Sequence, residues 1–335
     1  MRPWTRIASL ALCIAATALA ASSAAFAQDG ASLKASSLVL QESENGAILT
    51  LQGPIEVTYS GDTLGADSAV VTLGEDLTTL ESAIVKIELK GGVRYSGRDG
   101  ETGQAGAATY FAREHRVLLE GGARFSRGDL QVAAGTVDYL FDSRLVSFRN
   151  GGDMSKGDIS ASADSGEYDL NAESGSLAEG VTVRYKLGKR LFGDEVVDEV
   201  VLKADALAIS VAAGEVKTPE GPLSGRTTVE AGEFTLEADS ILFQVDDTGV
   251  SRVTAEGSVD LNGPRMQYLR ADRLSFSNED RVLKADGNVE FSVMGQEGKA
   301  ESIEVNFASG WSIRLVGGSV DGSVDESVLE GGASR

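Results

Sequence analysis

Cysteine and histidine are almost absent from this chain. Its one cysteine, Cys13, lies in an apolar N-terminal run, and its one histidine, His115, lies between Glu114 and Arg116. The sequence therefore offers no cysteine pair, histidine cluster or Ser-His-Asp order for zinc binding or nucleophilic catalysis. We predict that the protein is not an enzyme and has neither a cofactor nor a metal site, and we interpret His115 as a solvated turn residue.

Carboxylate pairs give little support for catalysis either. Asp246-Asp247 and Glu279-Asp280 lie in predicted turns, where aspartate commonly bonds to the local backbone. Gly151-Gly152-Asp153 is only a fragment of the glycine-rich repeat that binds calcium. A carboxylate pair for glycoside cleavage stays open at the level of the sequence.

Proline is scarce and helical periodicity is weak. Five prolines against forty glycines indicate many tight turns and not a proline-rich disordered chain. The best helix candidate is the short segment 193–201, GDEVVDEVV. Aromatic residues are few, 6% of the chain, and fall on predicted strands. The composition therefore favours an all-β protein.

Basic residues are outnumbered by acidic ones. Without Arg2 and Arg6, which lie in the N-terminal segment, 28 basic residues face 51 acidic residues, a net charge of about −23. Such a surface makes nucleic acid a poor partner. Many acidic residues have the outward parity of predicted strands, where they favour solubility and oppose aggregation between sheet edges.

The N-terminal segment resembles a secretory signal. Arg2 and Arg6 precede an apolar run, residues 7–21, and Ala25-Phe26-Ala27 is an A-x-A cleavage site. We predict cleavage after Ala27 and export of the mature chain, which then contains no cysteine and no disulfide. Retention as a membrane anchor is the alternative, although Ser22 and Ser23 interrupt the run before the roughly 20 residues that a span needs.

A repeated strand-turn-strand unit is the strongest signal in the sequence. In residues 281–307, Leu283, Val289 and Phe291 share one parity and polar residues take the other, which is typical of a strand with one buried face. A glycine that precedes a Val or Ile run recurs at 53, 92, 122, 152, 180, 225, 257, 287 and 317, in most cases 28 to 30 residues apart. An Ala-Asp pair or a degenerate form of it follows, as at Ala66-Asp67. A period near 30 predicts stacked units.

This pattern predicts an all-β fold, an elongated β-jelly roll of two facing sheets built from about seven to eight stacked units. We divide the chain into a signal peptide, five units, a turn-rich boundary or bend, three further units and a polar tail that we expect to be disordered. In that order the segments are 1–27, 28–212, 213–225, 226–320 and 321–335. The unpaired strand ends, residues 37–40 and 313–320, would invite strand addition by another chain.

Several segments carry a family resemblance. Leu283-Lys284-Ala285-Asp286-Gly287-Asn288-Val289, Leu64-Gly65-Ala66-Asp67 and Leu202-Lys203-Ala204-Asp205 resemble the OstA-like (LptA-like) family of periplasmic lipopolysaccharide-transport proteins over roughly residues 37–320. The resemblance implies a jelly roll that accepts the acyl chains of lipopolysaccharide between its sheets. It also implies that such domains join end to end, with like domains or with copies of themselves, in a bridge to the outer membrane. The chain departs from the pattern in being about twice as long as one such domain and in carrying an insertion at 186–199.

The candidate site is an apolar trough between the sheets. Its predicted lining residues are Leu51, Ile55, Val57, Val93, Tyr95, Phe125, Val183, Tyr185, Val259, Val289 and Phe291. From the residues alone, a filled core is the simpler interpretation, whereas the resemblance favours a groove for lipid tails. The alternative function is an exported structural or adhesive β-solenoid with a solid core, whose acidic outer face meets a partner.

Overall fold

The computed structural model describes residues 24–28, 31–43, 46–75, 78–190, 196–219, 225–246, 249–264, 266–293, 295–308 and 312–321. The predicted signal segment up to residue 23 and the tail from residue 322 lie outside these residues. The described chain consists of 24 β-strands and one helix of four residues. It divides into two compact units: Met1–Gly157 with Asp164–Asn171, and Asp158–Ala163 with Ala172–Arg335. None of its described helices is long and apolar enough to cross a membrane.

The first unit contains eleven strands and the helix. They are β1 (Ala24–Gln28), β2 (Ala31–Ala35), β3 (Ser37–Ser43), β4 (Gly46–Tyr59), β5 (Asp62–Leu73), α1 (Leu80–Ala83), β6 (Ile84–Ser96), β7 (Thr102–Phe111), β8 (Arg116–Arg127), β9 (Leu130–Leu140), β10 (Leu145–Lys156) and, later in the chain, β12 (Ser165–Asp169). From β4 to β10 each strand pairs antiparallel with the next, and β12 pairs with β10.

The second unit continues the same antiparallel order. Its strands are β11 (Ile159–Ala163), β13 (Ser174–Arg190), β14 (Val196–Ser210), β15 (Glu215–Lys217), β16 (Thr227–Ala231), β17 (Phe234–Ala238), β18 (Ser240–Asp246), β19 (Gly249–Gly263), β20 (Met266–Ser277), β21 (Val282–Val293), β22 (Gln296–Asn306), β23 (Ser312–Val316) and β24 (Ser319–Asp321).

A β-bulge divides each long strand pair into two halves. In β4 and β5, Leu51 pairs with Ala69 and Ile55 with Ala66, so five residues on β4 lie opposite four on β5. Side chains alternate between faces along a strand. The buried residues of β5 therefore change from even numbers before the bulge to odd numbers after it. A bulge of this kind bends the ladder.

The repeated glycines and aspartates meet at these bulges. Gly91, Gly257 and Gly287 have φ angles of 79°, 77° and 78°, which glycine adopts readily and other residues rarely. A Cβ added to Gly287 would lie 2.5 Å from Oδ2 of Asp272 on the neighbouring strand, and one on Gly91 would lie 2.4 Å from Oδ2 of Asp67. The sequence repeat is therefore a structural device that makes the corner between two half-strands.

In the first unit, the half-strands on either side of the bulges form two sheets, A and B, which face each other. Sheet A contains β1, β2, the later halves of β4, β6, β8 and β10, and the earlier halves of β5, β7 and β9. Sheet B contains the other halves, β3 and β12. Tyr59 of sheet A packs on Tyr110 of sheet B with ring centroids 5.6 Å apart, and Phe125 of sheet A packs on Tyr139 of sheet B at 4.9 Å. The predicted all-β jelly roll with facing sheets is confirmed.

Of the predicted boundary, residues 213–225, the described residues 213–219 and 225 belong to the second unit, and residues 220–224 lie outside the described residues. Within it β15 pairs with β14 on one side and with β18 on the other, while β16 continues the ladder from the earlier half of β14. In the sequence, the turn-rich segment lies between β15, which pairs with the later half of β14, and β16, which pairs with its earlier half. Its predicted role as a boundary or bend stays a prediction.

The best helix candidate, the segment 193–201, is a strand where the structure describes it, and its residues 193–195 lie outside the described residues. Residues Val196 to Val201 of the segment 193–201 belong to β14, where Val200 pairs with Tyr185 and Ala231. Pairing with strands on both sides outweighs a short helical pattern. The one described helix, α1, is held by Thr79, whose Oγ1 accepts a hydrogen bond from the Ser82 N–H.

Candidate functional site

The residues predicted to line the trough are inward-facing with one partial exception. Ten of the eleven are at most 5% exposed: Leu51, Ile55, Val57, Val93, Tyr95, Phe125, Val183, Val259, Val289 and Phe291. Tyr185, which pairs with Ile159 at the start of β11, is only partly buried. The period-two alternation therefore predicted the inward face, while binding of lipid by these residues stays a proposal.

The predicted residues fall mainly on one of the two sheets. In the first unit all except Leu51 belong to sheet A, because they follow the corner glycine in their strand. The opposite wall was missed. It is made by sheet B residues such as Ile87, Tyr110 and Val137, which are at most 2% exposed.

Side chains fill the space between the two sheets of the first unit. Phe141 lies within ring contact of Tyr95, Tyr110 and Tyr139, with centroid distances of 5.9, 5.9 and 4.8 Å. Where sheet A carries Gly103, the space is taken by Leu119, whose Cδ1 would lie 2.9 Å from an added Cβ. Lipid tails could enter this interior only if side chains moved or the sheets separated.

Two buried carboxylates lie at the edge of this interior, and sequence reasoning missed both. Asp62 and Glu101 are 3% and 2% exposed, and no other carboxylate of the described residues is buried. The Tyr110 hydroxyl donates to Asp62 Oδ2 at 3.3 Å, and the Tyr139 hydroxyl donates to Glu101 Oε1 at 3.0 Å. Arg127 Nε lies 3.4 Å from Glu101 Oε1. Each carboxylate thus receives donors from strands that are distant in the sequence.

Burial controls the ionisation of this cluster. Desolvation raises the pKa of Asp62 above its ordinary value, although the backbone N–H and the charge of Arg98 act in the opposite direction. Burial, and then the negative charges of Asp62 and Glu101, raise the pKa of Tyr95. The Tyr95 hydroxyl has no hydrogen-bond partner among the described residues. The tyrosines therefore stay protonated.

The outer faces carry ion pairs between neighbouring strands. Arg116 donates two hydrogen bonds of 2.8 Å to Asp138, which raise the pKa of Arg116. Lys299 pairs with Glu290 and lowers the pKa of that carboxyl. His115 is exposed with φ 44°, and its Nδ1 lies 3.0 Å from Asp142 Oδ1. These contacts stabilise a solvated surface, and the predicted turn position of His115 is confirmed.

Metal-ligating side chains do not converge in the described part of the chain, where no group of three or more histidines, cysteines, aspartates or glutamates could hold an ion. Asp246 ends β18, and Glu279 and Asp280 lie in the turn between β20 and β21. The Asp280 carboxylate accepts a hydrogen bond from the Ser277 hydroxyl at 2.9 Å. This last contact is the local bonding expected of a turn aspartate.

Exposed apolar residues mark the edge strands. In the described residues the exposed large hydrophobic side chains are Val39, Ile313 and Val316, at 52%, 38% and 50%. Val39 lies on β3, which pairs with β4 on one side, and Ile313 and Val316 lie on β23, which pairs with β22 on one side. Among the described residues, the predicted edges therefore combine backbone groups that no strand pairs on one side with apolar side chains.

Comparison with known proteins finds a similarity within the first unit. Residues 32–144 match the family model described as LptA/(LptD N-terminal domain) LPS transport protein. No curated protein matches the chain. Among solved structures, one that is similar is LptH, the LptA homologous periplasmic component of the lipopolysaccharide transport device from Pseudomonas aeruginosa. It is 14% identical, with a TM-score of 0.32, over 36% of this chain and 81% of that chain. The match to the family model supports the resemblance to the OstA-like (LptA-like) family over residues 32–144.

Proposed function

We propose that this protein is a periplasmic lipopolysaccharide-transport module that accepts acyl chains between its facing sheets. The observation that carries the proposal is the match of residues 32–144 to a lipopolysaccharide-transport family. The buried, apolar inward face, with Val57, Val93 and Phe125 at most 2% exposed, agrees with it. Apolar tails would replace contacts between the sheets with equivalent contacts to lipid.

We propose further that such modules join end to end through their edge strands. The exposed Val39 on β3 and Ile313 on β23 would be covered when a strand of another domain or another copy pairs with either edge. Export with cleavage after Ala27 belongs to the same proposal. The cleavage would remove most of β1, the strand that pairs with β2.

The head groups of lipopolysaccharide are anionic, as is this protein. The tails would enter the interior while the head groups project into water, with divalent cations bridging them to outward carboxylates. Binding that proved insensitive to a chelator would remove the cation bridge from the proposal and leave the interior site.

The test is binding of purified residues 28–335 to lipopolysaccharide, with a lipopolysaccharide stripped of its acyl chains as the control. We expect binding that needs the tails. No binding at micromolar concentration by protein shown to be folded and β-rich would contradict the proposal.

A second candidate function is a structural or adhesive β-solenoid with a solid core. The tight ring contacts of Phe141 with Tyr95, Tyr110 and Tyr139 favour it. A photo-crosslinking residue at Val289 or Phe291 separates the two functions. Label transfer to lipopolysaccharide supports transport, and labelling of protein neighbours alone supports the solid array.

A further inference from the structure

The side of the first unit opposite the glycine corners forms a seam. The corners join sheets A and B along one side. Along the other side lie the connections between the strands of both sheets. Residues 60–61, 97–101 and 128–129 belong to sheet A, and residues 74–75, 78–83 (which include α1), 112–115 and 141–144 belong to sheet B. A lipid tail that reaches the interior from the side has to pass between these two rows of turns.

Polar contacts close the seam on its outside. Arg144 Nη2 of a sheet B turn lies 3.3 Å from Asp99 Oδ2 of a sheet A turn, and both side chains are about half exposed. The Ser60 hydroxyl, from the turn after β4, donates to Glu81 Oε1 of α1 at 2.5 Å. The Tyr59 hydroxyl donates to the Glu81 carbonyl at 3.3 Å. Each contact joins sheet A to sheet B.

A second, buried layer crosses the same seam. Tyr110 and Tyr139 of sheet B donate to Asp62 and Glu101 of sheet A. Burying a carboxylate costs free energy even when it accepts hydrogen bonds, so the burial of Asp62 and Glu101 is not explained by packing alone. The second unit is the internal comparison, because none of its described carboxylates is buried.

A polar seam differs from an apolar seam in how it opens. When a polar seam separates, water hydrates its carboxylates, guanidinium groups and hydroxyls. Separating an apolar seam costs a free energy of about 25 cal/mol for each Å² of apolar surface exposed to water. The Tyr95 hydroxyl, buried at this seam without a partner among the described residues, would gain a hydrogen bond to water on opening. Opening is therefore less unfavourable here than elsewhere along the interior.

We propose that these contacts form a latch, and that the latch opens to admit an acyl chain sideways into the first unit. The latch comprises Asp99 with Arg144, Ser60 and Tyr59 with Glu81, Asp62 with Tyr110, and Glu101 with Tyr139. The inference rests on the proposed function for its ligand, but the opening of the seam can be measured without lipid.

The experiment locks the seam. Residues 28–335 contain no cysteine, so Asp99→Cys with Arg144→Cys can be bridged by a short, reducible bis(methanethiosulfonate) linker. We expect the locked protein to take up fluorescently labelled lipopolysaccharide at least about tenfold more slowly, and a reductant to restore the rate. The control places the same linker across Lys203→Cys and Glu230→Cys, an exposed ion pair between neighbouring strands of one sheet, where it should change nothing. Equal uptake by locked and reduced protein would overturn the proposal.

A measurement without lipid tests the latch independently of the proposed transport function. A single reporter, Val57→Cys, lies buried on sheet A and reacts with a maleimide only when the interior opens. Arg144→Ala should raise its labelling rate about two- to fivefold, the contribution of an exposed ion pair to an equilibrium. Tyr139→Phe should raise it further. If the unlocked protein takes up no lipopolysaccharide, the proposed function fails, and the reporter rates then decide for or against the latch. Labelling rates that neither variant changes would refute it.

Discussion

The corner glycines show how a single residue sets the repeat. At the corner of β6, Gly91 and Gly92 have φ angles of 79° and 53°. A Cβ on Gly91 would lie 2.4 Å from Asp67 Oδ2, whereas one on Gly92 would meet nothing within 4 Å. At the equivalent second position Asn288 and Ser258 adopt φ 49° and 47°. At the corner of β6 only the first position therefore excludes a side chain, whereas at the corners of β10 and β13 the first position holds Asn150 and Glu179, with φ 66° and 67°.

We expect Gly91→Ala and Gly92→Ala to differ in their effect on stability. Both substitutions place alanine in a left-handed conformation, which destabilises the fold by about 1 to 2 kcal/mol. Gly91→Ala also creates an overlap with Asp67, which destabilises the fold by a further amount of about 1 to 3 kcal/mol. Urea unfolding of the two variants measures the difference. Equal losses of unfolding free energy would show that Asp67 moves aside freely.

Two buried tyrosines at the seam, Tyr95 and Tyr139, form a matched pair. The Tyr95 hydroxyl is buried without a partner among the described residues, and the Tyr139 hydroxyl donates to Glu101. Removing an unpaired buried hydroxyl relieves a cost of about 1 to 3 kcal/mol, whereas removing a bonded one leaves its acceptor unsatisfied. Tyr95→Phe should therefore raise or preserve the melting temperature and Tyr139→Phe should lower it. A loss of stability in Tyr95→Phe would reveal a bound partner at that hydroxyl.

Asp62 makes stability depend on pH in a predictable direction. Because burial raises its folded-state pKa, protonation favours the folded chain. The free energy of unfolding should fall as the pH rises from the ordinary aspartate pKa, about 4, through the raised folded value, and should be constant above it. Asp62→Asn should lack this component. If the difference in the free energy of unfolding between the unchanged protein and Asp62→Asn does not vary with pH, the prediction is contradicted.

At the scale of elements, the sequence predicted what depends on neighbouring residues. Alternation in segments such as 283–293 gave the strands and the inward face correctly. The burial of Asp62 and Glu101 was missed because each is flanked by a glycine or a turn, where carboxylates are usually solvated. Their partners, Tyr110 and Tyr139, are 48 and 38 residues away. The helix candidate 193–201 failed for the same reason, since pairing with distant strands decided its conformation.

The edge strands should control self-association. We expect Val39→Lys on β3 and Ile313→Lys on β23 each to weaken end-to-end assembly, because a charge on an edge strand opposes pairing with another chain. Thr50→Lys is the control, since Thr50 pairs with Val39 but lies on β4, which has strands on both sides. Sedimentation velocity over a concentration series measures the assembly. An equal effect of Thr50→Lys would attribute the change to net charge alone.

At the scale of the whole molecule, the chain passes from the first compact unit to the second, returns briefly to the first, and then continues in the second. β11 belongs to the second unit and β12, which follows it, belongs to the first. The regular glycine spacing gives no signal of this division, because the same corner recurs on both sides of it. The sequence placed its boundary at 213–225, where prolines and glycines cluster, whereas the division by contacts depends on which strands pair.

This path of the chain predicts how the first unit can be isolated. Residues 28–171 retain β12, which pairs with the earlier half of β10 through Val146 with Tyr168 and Phe148 with Gly166. Residues 28–157 lack it, so β10 would present an unpaired edge beside the buried Val146, Phe148 and Tyr139. We expect the longer fragment to unfold cooperatively at a higher temperature, and the shorter one to aggregate or melt earlier. Calorimetry and sedimentation of both fragments provide the test. Equal melting of the two would mean that β12 adds nothing to the first unit, and that its pairing with β10 does not stabilise the fold.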